Sequence, residues 1–219
     1  MRSKVASPLF AVLALMLLPS APARAADPAT IANAGTGTVV ACASCHGKDG
    51  GGMASFPRLA GMNAAYLLKQ LQDFAGGSRG NAVMKPIAAA LSPAERDAMA
   101  SYYADMPIPA ALAGAAVPAA PDASRGALLA TRGMWSKGVP ACVQCHGPGG
   151  VGVGAGFPAL AGQPSGYLAS QLQAWQKGTR KNDPLQLMQH LSRSLTAAEI
   201  KAVSDWFARQ PATVSGAGS

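Results

Sequence analysis

All four cysteines of the 219-residue chain stand in two copies of one unit, Cys42-Ala43-Ser44-Cys45-His46-Gly47 and Cys142-Val143-Gln144-Cys145-His146-Gly147. Two thiols three positions apart, followed at once by an imidazole, admit three chemistries. An even number of cysteines in an exported chain allows disulfides. A redox-active Cys-x-x-Cys loop, however, expects a βαβ setting that the surrounding pattern lacks. Zinc would find three ligands in each unit but no second cluster nearby to close a structural site. The third chemistry is covalent haem attachment. On a helical turn both thiols can reach the two vinyl groups of one porphyrin, and the adjacent imidazole offers a nitrogen to the iron. Recurrence of the unit in register favours this third reading. Cys42, Cys45, Cys142 and Cys145 are then the thioether positions of two covalently bound haem c groups, with His46 and His146 as axial ligands.

The other axial position decides whether such an iron exchanges electrons or takes a substrate. Seven methionines follow residue 25, and a methionine is usually core filler. Met53, Met62, Met106 and Met134 have no methionine at the matching position of the other copy, and Met99 aligns with Val203. Only Met84 and Met188 are matched, each seven residues before a leucine, Leu91 or Leu195. They follow their histidines by 38 and 42 positions, room for a helix and a return loop. The rival is His190, which stands where the first copy has Pro86; because Met188 already holds the matched position, His190 is read as a polar neighbour. A thioether raises the reduction potential, and two protein ligands leave no coordination position open. That suits electron transfer and equips the chain poorly as an enzyme. The second ring nitrogen of an axial histidine needs an acceptor. The carbonyls of Pro57 and Pro158 are candidates, unless these prolines only shape their loop. Tyr66 and Tyr167 either bond the haem carboxylates or simply pack.

The elements that must position these groups are written twice. Phe56-Pro57-Arg58-Leu59-Ala60-Gly61 recurs as Phe157-Pro158-Ala159-Leu160-Ala161-Gly162, and Tyr66-Leu67 recurs as Tyr167-Leu168, at an offset of 101. Ser92-Pro93-Ala94-Glu95 matches Thr196-Ala197-Ala198-Glu199 at 104. Leu67, Leu68, Leu71 and Phe74 fall on one face of a helix from Asn63 to Phe74, as do Leu168, Leu172 and Trp175 in its twin. Ser92 with Glu95, and Thr196 with Glu199, are capping-box signatures opening a last helix. Nothing alternates over the length of a strand. The expected fold is all-α, two tandem helical haem domains.

Composition agrees. Hydrophobic residues make up 49% but aromatics only 5% and charged residues 13%, about half the usual ~25% charged share. Alanine buries little surface, so these side chains alone would build a thin core, and a large flat cofactor would complete it. The apoprotein should fold poorly. Residues 1–25 read as a signal peptide: Arg2 and Lys4, an apolar stretch from Val5 to Leu18, then Ala23-Arg24-Ala25 as the cleavage site. That stretch is shorter than the ~20 residues needed to span a bilayer. The remaining division is a first domain 26–107, an Ala/Pro-rich linker 108–121, a second domain 122–210 and a flexible tail 211–219. Removing Arg2, Lys4 and Arg24 lowers the formal charge from +8 to +5, and the excess lies from Asp122 onward, where nine basic residues face four acids. Without a Lys/Arg run, nucleic acid is an unsuitable partner; a docking face, or an offset to bound anionic groups, fits better.

The tandem Cys-x-x-Cys-His-Gly units, the paired Phe-Pro-x-Leu-Ala-Gly segments, Tyr-Leu-x-x-Gln-Leu at 66–71 and 167–172, and the paired Met84 and Met188 resemble the cytochrome c4 family from about Gly37 to Arg209. The resemblance implies two pseudo-symmetric class I cytochrome c domains in a bacterial periplasm, often loosely held at the inner membrane. It implies His46, Met84, His146 and Met188 as axial ligands, and a carrier between redox proteins such as respiratory complexes, towards a terminal oxidase. Two alternatives stay open. One is the dihaem subunit of an oxidoreductase complex such as a flavocytochrome sulfide dehydrogenase. The other is a haem enzyme or gas sensor, in which one iron would lack its methionine.

Overall fold

The computed structural model describes residues 26–114 and 123–213. The expected signal peptide, residues 115–121 of the expected linker and the last six residues lie outside them. Among the described residues, five helices form the first lobe: α1 (Pro28–Ala34), α2 (Ala43–His46), α3 (Ala64–Gly76), α4 (Met84–Ala90) and α5 (Pro93–Asp105). A short α6 (Ala110–Ala113) follows. The second lobe repeats the set as α7 (Arg125–Arg132), α8 (Val143–His146), α9 (Ser165–Gln176), α10 (Leu187–Arg193) and α11 (Ala197–Ala208). Among the described residues extended pairing is confined to isolated bridges, and the fold is all-α. No described helix is long and apolar enough to cross a membrane.

The caps form where residue type dictates. Asn63 accepts from the Tyr66 N–H and starts α3, and both capping boxes are present, Ser92 with Glu95 and Thr196 with Glu199. In each lobe the last helix packs on the first and third. Ile31, Met99 and Tyr103 are buried in one lobe, and Leu129, Val203, Trp206 and Phe207 in the other. Each such side chain contributes roughly 1.5–3 kcal/mol on burial. In the second lobe α7 approaches α11 so closely that a Cβ on Gly126 would lie 2.2 Å from the Ala202 carbonyl oxygen.

The ends of the expected linker and tail are partly structured. Ile108 lies beside Gly61, α6 forms a helical turn, and the Ala212 N–H donates to the Leu112 carbonyl at 2.9 Å. Ala212 is buried, because α6 folds back over the end of the second lobe's chain.

The lobes are locked together at a place where the repeat is broken. Arg58 and Met62 of the first copy face Ala159 and Gln163 in the second. The Gln163 carboxamide accepts from the Arg58 N–H (2.9 Å) and donates to the Arg58 carbonyl (3.0 Å), while the buried Arg58 guanidinium donates to the Ala161 carbonyl (3.2 Å). Burial lowers the Arg58 pKa to about 10, so it stays charged at neutral pH.

Glu199 ties α7 to α11. Its carboxylate accepts from the Thr196 N–H, Arg125 and Lys137, and these bonds hold its pKa at about 2. A depressed carboxylate pKa stabilises the fold above the unfolded value of about 4.3. That contribution falls away as pH drops through this value towards 2. Glu199→Gln should therefore unfold at a lower temperature than wild type at pH 7, the gap narrowing between pH 4.5 and 2; calorimetry across that range checks this.

Candidate haem sites

Each Cys-x-x-Cys-His unit forms one helical turn, with Cys42 and Cys142 in right-handed helical backbone just before α2 and α8. All four thiols are unpaired and half-buried. Burial pushes the Cys42 thiol up and takes Cys142 to about 11. A redox-active dithiol needs the reverse, a lowered pKa.

The loop after each histidine is the same in both lobes. The His46 carbonyl accepts from the Gly52 N–H at 2.9 Å, and the His146 carbonyl from Gly152 at 2.7 Å. Gly52 (φ 77°) and Gly152 (φ 89°) pass so close to the Phe-Pro segment that a Cβ would come within 2.5 and 2.7 Å of the Arg58 and Ala159 nitrogens. This turn carries the proline carbonyls to the imidazoles. His46 Nδ1 lies 2.9 Å from the Pro57 oxygen and His146 Nδ1 lies 2.8 Å from the Pro158 oxygen. A carbonyl can only accept, so Nδ1 carries the proton and Nε2 keeps its lone pair. Burial holds both imidazoles below the ordinary histidine range, the proline bonds acting against it, so both are uncharged at neutral pH. The acceptor role weighed for Pro57 and Pro158 is thus present. Phe56 and Phe157 stand edge-on to the rings, 6.2 and 6.1 Å between centroids.

Each lobe encloses a cavity lined by its own Cys-x-x-Cys-His unit, of about 460 Å³ in the first and 330 Å³ in the second. Met84 lines the first and Met188 the second, so the structure brings each candidate methionine into the cavity of its own histidine. Met62 borders both cavities, Met99 the first, and His190 is exposed and borders neither. Size and lining are those of a cofactor site. The donor set, two thiols with one neutral imidazole, suits covalent haem.

Tyr66, Gln70, Gln163, Tyr167 and Gln171 line both cavities, which share this wall. Two buried arginines complete it. Arg79 donates to Gln70 Oε1 (2.9 Å), Gln171 Oε1 (2.7 Å) and Tyr167 Oη (3.0 Å). Arg180 donates to Gln171 Oε1 (2.9 Å), Gln70 Oε1 (3.2 Å) and Tyr66 Oη (3.4 Å). Each guanidinium also stacks on a ring of its own lobe, Arg79 on Phe74 at 4.4 Å and Arg180 on Trp175 at 4.0 Å. Among the described residues no carboxylate takes a hydrogen bond from either. Burial, reinforced by Arg79, pushes Arg180 below its ordinary range. Burial alone would raise the Tyr167 phenol, yet the two guanidiniums pull it below the tyrosine range. Neither arginine was among the residues expected at the site. The signal was present, Gly77-Ser78-Arg79 recurring as Gly178-Thr179-Arg180 at the same offset of 101.

The cytochrome c family model matches residues 32–106 and 125–209, once in each lobe. This chain belongs to the cytochrome c family. A protein of Stutzerimonas stutzeri strain A1501 named as a thiosulfate dehydrogenase electron acceptor is 51% identical over 205 residues, covering 92% of this chain and 93% of that protein. The solved thiosulfate dehydrogenase (TsdBA) of Marichromatium purpuratum is 43% identical with a TM-score of 0.77; the match covers 84% of this chain and 40% of that one. Reduced recombinant cytochrome c4 from Pseudomonas stutzeri is 34% identical with a TM-score of 0.67, over 77% of this chain and 93% of that one. The chain is a two-lobed, cytochrome c4-like electron carrier with two covalently bound haem c groups.

A cytochrome whose cavities hold its cofactor must lose structure without it. Replacing Cys42 and Cys45 by serine should leave one haem per chain by mass spectrometry. The first lobe should then lose helical circular dichroism and become sensitive to protease, while the second keeps its haem spectrum.

Proposed function

We propose that this cytochrome is the exported electron acceptor of a thiosulfate-oxidising dehydrogenase, and that it passes the electrons on to the respiratory chain. One observation carries the reading: the relative named for that role aligns along both lobes and nearly its whole length. The 1–25 leader, cleaved after Ala25, directs the chain to the periplasm. Bound haem supplies a one-electron ferric–ferrous couple, so two sites take two electrons before the carrier must unload.

The chain's own groups divide the work. Cys42, Cys45, Cys142 and Cys145 hold the cofactors by thioether bonds. His46 and His146, oriented by the proline carbonyls, would offer Nε2 to the iron, and Met84 and Met188 would offer it their thioether sulfurs. This is supported by the shared cavities and by the engaged Nδ1 atoms, which leave Nε2 as the free donor. Two protein donors to each iron would leave no place for a small reactant, which suits a relay. Arg79 and Arg180, a buried pair that gives no hydrogen bond to a carboxylate among the described residues, would be the groups to hold the carboxylate side chains of the two cofactors. Buried charges are stable only when paired.

Redox titration of Met84→Ala and Met188→Ala tests the ligands. Wild type should give two one-electron waves, and each substitution should lower one of them; two unmoved waves would exclude the assignment. The partner is tested by mixing the oxidised cytochrome with thiosulfate and a purified thiosulfate dehydrogenase. The expected outcome is reduction of both haems, seen in the visible bands, at a rate that saturates with cytochrome concentration. A second reading, a general carrier towards a terminal oxidase, is favoured by the likeness to the solved cytochrome c4. It predicts reduction by small-molecule donors but none by the dehydrogenase.

A further inference from the structure

The two copies diverge where each methionine helix begins. Arg79 and Asn81 match Arg180 and Asn182 at an offset of 101, but Met84 and Met188 are 104 apart, so the second return loop is three residues longer. Within it Gln186 takes left-handed backbone, φ 54°. In the first lobe Asn81 Oδ1 accepts from the N–H groups of Val83 (3.0 Å) and Met84 (2.8 Å). In the second lobe the matching Asn182 is engaged elsewhere, donating to Gln70 Oε1 and to Asp73 Oδ2, both at 2.8 Å, across the interlobe wall. The next residue takes its place. Asp183 Oδ2 accepts from the Met188 N–H and, at 3.3 Å, from the Gln189 N–H. Asn81 lines the first cavity, and the half-buried Asp183 the second.

From this geometry we infer that Asn81 and Asp183 are positioning residues for the sixth ligands, and that the carboxylate at 183 lowers the potential of the second site relative to an amide there. The inference rests on Met84 and Met188 being ligands. Each side-chain oxygen pins the backbone of the residue that carries the thioether, and so fixes where its Cβ starts. An amide does this without charge. A carboxylate does it with a full negative charge at the cavity wall, which favours ferric over ferrous iron. Arg180 and Lys69 line the same cavity, and a substitution at 183 leaves both in place.

The test uses the full haem-loaded protein and reads two signals: both midpoint potentials, and the sulfur-to-ferric charge-transfer band that reports thioether ligation. Asp183→Asn keeps the pinning oxygen and removes the charge, so the band should persist while one midpoint rises and the other stays. Asn81→Asp should lower the other midpoint with the band intact. Asp183→Ala and Asn81→Ala remove the pin, and added imidazole should then bind the affected site about fivefold more tightly, the equivalent of the ~1 kcal/mol that a lost cap costs. An intact band with an unmoved or lowered midpoint in Asp183→Asn overturns the charge effect. Unchanged imidazole affinity in both alanine variants overturns the positioning role. Failure of the ligand reading looks different: Met188→Ala itself would then keep both midpoints and the full band.

Discussion

The hydrogen bond from the imidazole of each Cys-x-x-Cys-His unit to a proline carbonyl is the constraint on which the rest is built. It consumes Nδ1, fixes the tautomer and leaves Nε2 as the donor. The geometry is supplied entirely by backbone. Gly52 and Gly152 let the chain double back onto the Phe-Pro segment, and the histidine's own carbonyl holds that return. Burial reinforces the arrangement by keeping both rings neutral, since a protonated imidazole has no lone pair to give. A thiol pair, a ring and a carbonyl that lie within sixteen residues of one another in sequence thus become one unit, used twice.

Having two such units creates a second problem, which the interlobe wall solves. A helical lobe short of large side chains cannot close its cavity on every side, and each lobe completes the other. Tyr66 and Tyr167 reach the guanidinium of the opposite copy, so Arg79 and Arg180 are shared between the lobes rather than owned by one. The symmetry is local. Close to the same wall Arg58 and Gln163 break it, because two arginines in matched positions would bring a second pair of like charges together; the second copy places Ala159 there instead. The interface thus repeats one pair of buried guanidiniums, Arg79 and Arg180, and places a third, Arg58, once.

What sequence could show followed from local rules. The Cys-x-x-Cys-His units, the Ser92 and Thr196 caps and the apolar stripes each depend on residues within a few positions of one another, and the structure has them all. Pairing the methionines drew on register between copies, which is itself local information, and Met84 and Met188 each line the cavity of their own lobe while His190 lines neither. Arg79, Arg180, Arg58 and Gln163 were not legible in that way. Their partners across the interface lie 88 to 114 residues away, in the other copy, and an arginine in a loop, even one repeated in register, carries no sign of burial. The packing of α6 on Ala212 was hidden for the same reason: alanine- and proline-rich sequence looks like linker until a distant surface covers it.

The three-residue insertion shows how duplication allows two similar sites to differ without disturbing either. Lengthening the return loop leaves the histidine side, the thiols and the tyrosines, glutamines and arginines of the wall in matched register, since all of these precede it in the repeat. It alters only which side chain caps the methionine helix. Asn182 is released to the wall, where its amide joins Gln70 and Asp73, and Asp183 moves into the vacated role. The exchange places a carboxylate beside one cavity and an amide beside the other while the number of backbone N–H groups each side chain satisfies stays at two. A relay benefits from sites that bind their cofactors alike and hold electrons differently. Changing charge at a cap, outside the ligand set, separates those two properties.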